Sequence, residues 1–484
     1  MRTKSLLMIL LLVCVAGKTA SAQLTGSAVP ASRTTDQPTA ETRQSLPPSL
    51  DSFNGSGIVD KPVPGAVRLS LLDAMDRGIK HNLGLLLSQQ QTESARAERW
   101  RNLSALLPHV SAGSSENVQK INLAAFGIPI SINGSTLVGP FSVFDARATM
   151  SETLLDFNLL NKVRSSAESE RAAKFSLQDA RELVVLVVGD QYLLVLADAA
   201  RLETAQAQLK TAMTILDRTR DMKAAGMAAG IDVLRAQVQM QAQQQRLLVA
   251  ENQLERQKMV LARTIGLPVS QQIELSDSVP ASPTPPLDLD AALARAYTRR
   301  PEYLAAQSRT RAAELTVKAA QGEALPTVQM NGDYGAIGRS PGSAEPTYTV
   351  AAGVRIPIFQ GGRVRAEVSQ ARSELRQRQM QLEDLRSRVE FEVRSAWLDV
   401  KTSADQVEVA RQTVTLAGEQ LIQAQDRYAA GVAGTLDVVQ AQEAVATANE
   451  TYIQSLYLNN VAKLSLARAL GVAEQQTREF LGGK

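Results

Sequence analysis

The sequence predicts a mainly α chain with a smaller transmembrane β part, laid out as two tandem repeats of helix, strand, strand, long helix and long helix. Three features predict it. The chain matches itself at a nearly constant offset, the signature of a duplicated unit. Proline is absent from 141 to 267 and again from 358 onward, which leaves each half room for helices far longer than a globular helix. Between the helical stretches lie segments that alternate apolar and polar residues, the period of a strand.

The first element is an export signal. Residues 1–22, MRTKSLLMILLLVCVAGKTASA, place Arg2 and Lys4 before an apolar run from Leu6 to Ala16 and end on the small residues Ala20-Ser21-Ala22. The run is too short to span a bilayer as a stable helix. Cys14 sits inside the run after Val13, so it reads as a removed residue and not a lipid anchor. Residues 23–66 carry Pro30, Pro38, Pro47, Pro48, Pro62 and Pro64 among Ser and Thr with no apolar period, and are expected to be a flexible extension. No later stretch approaches 18 consecutive apolar residues; the strongest run, Leu183 to Val188, stops at Gly189-Asp190.

The composition excludes several classes. Lys+Arg 52 against Asp+Glu 49 gives a net charge of +3, and Arg2, Lys4 and Lys18 of the signal account for all of it, so no nucleic-acid footprint is present. A single cysteine excludes a disulfide framework and a cysteine-based zinc site. No G-x-S-x-G elbow, phosphate loop or HExxH pair appears, so an enzyme is not expected and neither metal nor cofactor is called for. His81 and His109 read as surface or interface residues, Trp100 and Trp397 as packing residues, and Glu182 and Asp190 as solvated or tunnel-facing carboxylates.

The duplication fixes the domain layout. Leu69-Ser-Leu-Leu-Asp-Ala74 matches Leu287-Asp-Leu-Asp-Ala-Ala292 at an offset of 218, which also takes Leu107-Pro108-His-Val110 to Leu325-Pro326-Thr-Val328. Further on the offset is 205: Ala225-Gly226 to Asp232-Val233 matches Ala430-Gly431 to Asp437-Val438, and Thr264-Ile265-Gly266 matches Ala469-Leu470-Gly471. The 13 extra residues of the first copy fall between Pro108 and Asp156, where an exposed loop is expected. The repeats are bounded at 67–278 and 279–472, with a linker at 276–286 and a flexible tail at 473–484.

Within each repeat the order is the same. A helical stretch, 69–106 or 288–324, is bent near His81-Asn82 or Arg300-Pro301 and ended by a Leu-Pro pair. Two strands follow. Then come helices at 158–224 and 232–265, or 363–429 and 436–470, rich in Ala and Gln with an apolar stripe at Leu193, Leu196, Ala200, Ala207 and Ile215, suited to coiled-coil packing. Phe144, Ala146, Ala148, Met150 and Leu154 share one strand face; Asp145, Arg147, Thr149, Ser151 and Thr153 share the other. In the second copy Tyr348, Val350, Ala352, Val354, Ile356 and Ile358 oppose Thr349, Ala351, Gly353 and Arg355. A soluble half-buried sheet alternates in the same way; the export signal favours an outer-membrane barrel with Asp145, Arg147 and Arg355 on its lumen face. Four strands cannot close a barrel, so several chains would have to share one.

With the duplication, the Leu-Leu-Pro and Ala-Leu-Pro helix ends, the joins Leu154-Leu-Asp-Phe157 and Pro357-Ile-Phe-Gln-Gly-Gly362, and the paired Ala-Gly…Asp-Val tips, the chain resembles the TolC-type outer-membrane efflux proteins over roughly 67–472. The resemblance implies a homotrimer in the outer membrane, with one 12-stranded β-barrel above a periplasmic α-barrel tunnel. It implies a periplasmic adaptor and an inner-membrane pump of RND or ABC type as partners, in multidrug efflux or type I secretion. It implies that Gly226, Gly230, Gly431 and Gly434 form helix-tip turns contacting the adaptor, and that the tips form a gate. There Asp232 and Tyr428 match one polar pair, while Ile231 and Ala433 replace the hydroxyl and arginine of a second. Asp437 matches a constriction aspartate, and Gln440 stands for the next one. On the residues themselves, Gly226 and Gly431 suit a helix C-terminus, and Asp232 and Asp437 suit an N-cap role. The competing reading is a periplasmic coiled-coil adaptor or scaffold without a barrel.

Overall fold

The computed structural model describes residues 50–127, 135–280 and 288–476. The export signal, the extension before residue 50 and the tail beyond residue 476 lie outside the described residues. In the first repeat β1 (Val67–Leu69) leads to α1 (Leu71–His81), which opens on a capping box between Ser70 and Asp73. Asn82 then turns extended and its Oδ1 accepts from Gly84 N at 3.0 Å to start α2 (Leu83–Ser104). The strands β2 (His109–Asn122) and β3 (Leu137–Leu155) follow. After them come the 68-residue α3 (Phe157–Ala224), the 35-residue α4 (Gly230–Thr264) and β4 (Ile273–Leu275), which pairs in parallel with β1.

The second repeat runs α5 (Leu289–Arg299), α6 (Pro301–Gly322), β5 (Thr327–Gly338), β6 (Glu345–Arg355), α7 (Arg363–Ala429) and α8 (Thr435–Ala469). At 1.5 Å per residue α3 is about 100 Å long. The bends expected near residues 82 and 300 are full breaks. Arg300 is extended because Pro301 follows it, and that proline sits at the start of α6, where its missing N–H costs nothing.

A glycine docks into each break. Gly266 and Gly471, at the 205 offset, both have positive φ. A Cβ on Gly266 would lie 2.6 Å from His81 Cβ, and one on Gly471 2.7 Å from Arg300 Cα. The C-terminal end of each long hairpin is thereby pinned to the start of its own repeat. Around these two nodes lies the main core, where Val184, Val188, Tyr192 and Leu193 of α3 pack with Leu261 of α4, Val389 of α7 and Leu464 of α8. The apolar centre of α3 is therefore core.

Four expectations are corrected here. The flexible extension does not reach residue 66: Phe53 is 5% exposed against Gly84, its carbonyl accepts from Asn82 Nδ2 at 2.7 Å, and Asp60 pairs with Arg77. The tail does not begin at 473, since Ala473 is fully buried and its N–H donates to Glu182 at 2.5 Å. Glu182 is thus buried, not solvated, and Asp190 accepts from Tyr457 Oη at 2.7 Å. The extra residues of the first copy lie partly in its strands, with 14 and 19 residues in β2 and β3 against 12 and 11 in β5 and β6.

The four long strands form one antiparallel sheet in the order β2-β3-β5-β6. Between the register shifts at Gln119/Ile121 and Thr153/Leu155 the pairing puts even-numbered positions on one face: Val110, Met150, Gly332 and Val350 form one row, and Ala112, Ala148, Tyr334 and Tyr348 the next. Among the described residues no helix covers this face, and Val110, Tyr348 and Val350 are 71, 77 and 74% exposed. The odd face carries Ser111, Thr149, Asp333 and Thr349 in register. A water-soluble sheet buries its apolar face; this one presents it.

Burial pushes the Glu182 carboxyl up to about 7 from 4.5, against the Ala473 and Glu474 N–H groups, which lower it. Its contribution to stability is therefore full below pH 4.5 and lost as the pH rises through about 7. Glu182→Gln is expected to melt with the wild type at pH 5 and several degrees above it at pH 8, measured by thermal denaturation at both values.

Candidate functional site

The two helical hairpins, α3–α4 and α7–α8, end in the same turn. Met227 N donates to Met222 O at 2.8 Å and Gly226 sits at φ 75°; Val432 N donates to Arg427 O at 3.0 Å and Gly431 sits at φ 73°. These are Schellman ends, which need a residue free to be left-handed. Beyond them α4 starts at Gly230, and α8 starts after Gly434. Met227 and Ile231, and their counterparts Val432 and Leu436, are exposed at the tips.

Asp232 folds back on its own helix start, accepting from Ala229 N at 3.3 Å and lying 3.5 Å from Arg235. Among the described residues it makes no bond to Tyr428, the pairing that the resemblance implied. Tyr428 lies in a small buried cluster with Ile215 and Val438, and its hydroxyl reaches Thr219 Oγ1 at 3.1 Å. Thr219 already donates to Ile215 O at 2.8 Å, so Tyr428 is the donor. The pair links α7 to α3, one hairpin to the other, and is worth about 1 kcal/mol. Asp437 and Gln440 are exposed one turn apart on α8, and neither makes a side-chain bond among the described residues.

The sequence reading missed two stronger links between the hairpins. Glu443 of α8 accepts from Gln239 at 2.7 Å and from Arg246 at 2.8 Å, both on α4. Arg201 of α3 holds Glu450 at 3.0 Å and Gln454 at 2.8 Å on α8, and Asp198 on its own helix. Burial raises the Glu443 carboxyl, but Arg246 and Gln239 more than offset this and hold it below the usual range. The link is therefore kept at neutral pH and lost as the pH falls through that lowered value. A signal was present: from Thr435 to Ala462, α8 carries acids at 437, 443 and 450 and no Lys or Arg, so their partners had to come from another element.

On the odd face of the sheet Arg147 lies 2.7 Å from Asp145 and 3.0 Å from Asp333. Asp145 and Arg147 are thus brought together, with Asp333 as a third member. Arg355 sits opposite Thr327 near the helical end of the strands and is not part of this cluster.

A family model described as outer membrane efflux protein matches residues 76–267 and 292–472. The pyoverdine export outer membrane protein OpmQ of Pseudomonas putida is 25% identical over 414 residues, 83% of this chain and 85% of its own. The probable efflux pump outer membrane protein TtgC of the same species is 22% identical over 426 residues, 83% of each chain. The outer membrane channel CmeC of Campylobacter jejuni superposes with a TM-score of 0.72 at 17% identity, over 83% of this chain and 86% of that one.

Tyr428→Phe is expected to speed amide hydrogen exchange over residues 215–222 about fivefold, the equivalent of about 1 kcal/mol. Exchange unchanged from the wild type would show that the Tyr428–Thr219 bond does not hold the two hairpins together.

Proposed function

The chain belongs to the outer membrane efflux protein family, and from that premise we propose that three copies form one exit duct gated at its helix tips. It is a transport protein of the outer membrane, not an enzyme. The observation that carries the trimer is the uncovered apolar face of a four-stranded sheet with free edges at β2 and β6. Lipid tolerates an apolar face but no open edge. Three copies supply twelve strands, β6 of each beside β2 of the next.

The helices support the same closure. Within one chain the upper helices pack in the order α2-α3-α6-α7, and the lower ones α4-α3-α8-α7. Among the described residues the outer faces of α7, α2 and α4 have no neighbouring long helix. On α7, Phe391, Leu398, Val409 and Leu416 are exposed, and on α4, Ile231, Val238 and Met259, largely at heptad-like spacings. These stripes pack against each other between copies. The duplicated units are 67–278 and 279–472.

The gate is the set of links between hairpins. Tyr428–Thr219, Glu443–Arg246 and Arg201–Glu450 hold α7–α8 against α3–α4. Asp437 and Gln440 of three copies line the narrowest ring, Asp145, Arg147 and Arg355 face the barrel lumen, and Asp232 braces the tip of α4. The turns at Gly226, Gly230, Gly431 and Gly434 meet a periplasmic adaptor, and the energy comes from an inner-membrane pump of RND or ABC type. TtgC belongs by its name to an efflux pump, which supports pump partners here.

In planar lipid bilayers the purified protein is expected to give channels, and Tyr428→Phe and Glu443→Gln each to raise the single-channel conductance. Conductance unchanged in both variants would remove the gate from these links. Recovery of the protein as a soluble periplasmic monomer would overturn the duct itself.

A further inference from the structure

Arg355 is the last residue of β6, on the odd face of the sheet and at one of its free edges. It is exposed and makes no ion pair or side-chain hydrogen bond among the described residues. On the same face Asp145 and Asp333 flank Arg147, so that cluster holds one negative charge more than it pairs. Within the chain the two cannot meet. Asp333 pairs with Thr349, six residues along β6 from Arg355 and about 20 Å away.

The duplication says how the two free edges fit. At the 218 offset Thr327 answers to His109 and Asn331 to Gly113. His109 pairs with Ser151 and Thr327 with Arg355, so Arg355 answers to Ser151. Inside the chain the repeats join at β3 and β5, where Ser151 pairs with Asn331. Between copies β6 and β2 make the same joint, and strands that close one barrel share one tilt and stagger. Resting on the three-copy duct, we propose that Arg355 stands opposite Gly113 of the next copy and crosses that glycine to the Asp145 carboxylate of the same copy. This register pairs odd with odd, so the lumen face stays unbroken. On the lipid face it sets Val350 beside Val118 of the next copy, 74 and 72% exposed in the single chain. Gly113 leaves the path clear, since even a Cβ there would meet nothing. Arg147 likewise sits opposite a glycine, Gly335, and reaches Asp333 on that strand. Asp145 lies two strands and one row from Arg355, about 12 Å between Cα atoms, a span that an extended arginine and an aspartate close. Each seam then holds two charges of either sign. The lumen is wet, so the pair selects the register more than it adds stability.

Disulfide trapping in isolated outer membranes tests the seam, because the sole cysteine, Cys14, lies in the export signal. Gly353→Cys with Ser115→Cys, which this register sets opposite each other, is expected to give covalent trimers on non-reducing gels. Gly353→Cys with Gly113→Cys or with Asn117→Cys is two residues off and is expected to link at least tenfold less, since Cα atoms beyond about 7 Å do not bridge. Linkage of a shifted pair instead, or of none of the three, would overturn the register. Arg355→Gln and Asp145→Asn are each expected to lower the temperature at which the trimer dissociates by a few degrees, and the double variant no further than Asp145→Asn alone. Losses that add, or no loss at all, would overturn the Arg355–Asp145 pair. A trimer in native mass spectrometry without linkage at Gly353 and Ser115 rejects this seam and leaves the duct standing; a monomer there rejects the duct.

Discussion

A peptide N–H or C=O left unpaired in hydrocarbon costs several kcal/mol, and the sheet of this protein has two strands that would leave a whole row of them. Among the described residues its apolar face has no cover, and its edges at β2 and β6 have no partner. The first follows from alternation that stays in register over most of the four strands, and the second from a strand count too small to close a barrel. A chain that must place this sheet in lipid has to find the missing pairs in other copies of itself. The long helices repeat the demand below the membrane, since α7, α2 and α4 each keep an unpartnered face.

Duplication supplies the frame, and divergence supplies the links. The parts that set geometry recur at fixed offsets: Asn82 with Arg300, Gly266 with Gly471, Gly226 with Gly431. The parts that tie the hairpins do not. At the 205 offset Tyr428 answers to Lys223, Thr219 to Ala424 and Glu443 to Val238. Two identical hairpins would need identical, mutual bonds. Unequal ones let α7–α8 be held against α3–α4 by a few polar contacts, each worth little and removable without unfolding the core around Tyr192 and Leu464.

Much of this was legible from residues. The long helices fall within a residue or two of their expected bounds, because proline absence and glycine ends mark them strongly. The strand faces follow from period two. The tip turns follow from Gly226 and Gly431. What sequence did not show is where long side chains reach. Asp232 was expected to pair with Tyr428, yet it accepts from Ala229 N at its own helix start, while Tyr428 is buried with Ile215 and Val438 and donates to Thr219. Phe53 was hidden in a Pro- and Ser-rich stretch whose average polarity masked one buried ring. Glu182 looked like one more charge on a long helix, and only the folded chain brings the amide of Ala473 to it.

The central claim is that this sheet closes only across copies. Native mass spectrometry of the intact protein released from detergent measures the copy number directly. The account predicts three copies as the dominant species, stable on dilution. A dominant monomer would contradict it, because four strands cannot close a barrel; a dominant dimer would keep closure across copies but contradict the three-copy duct.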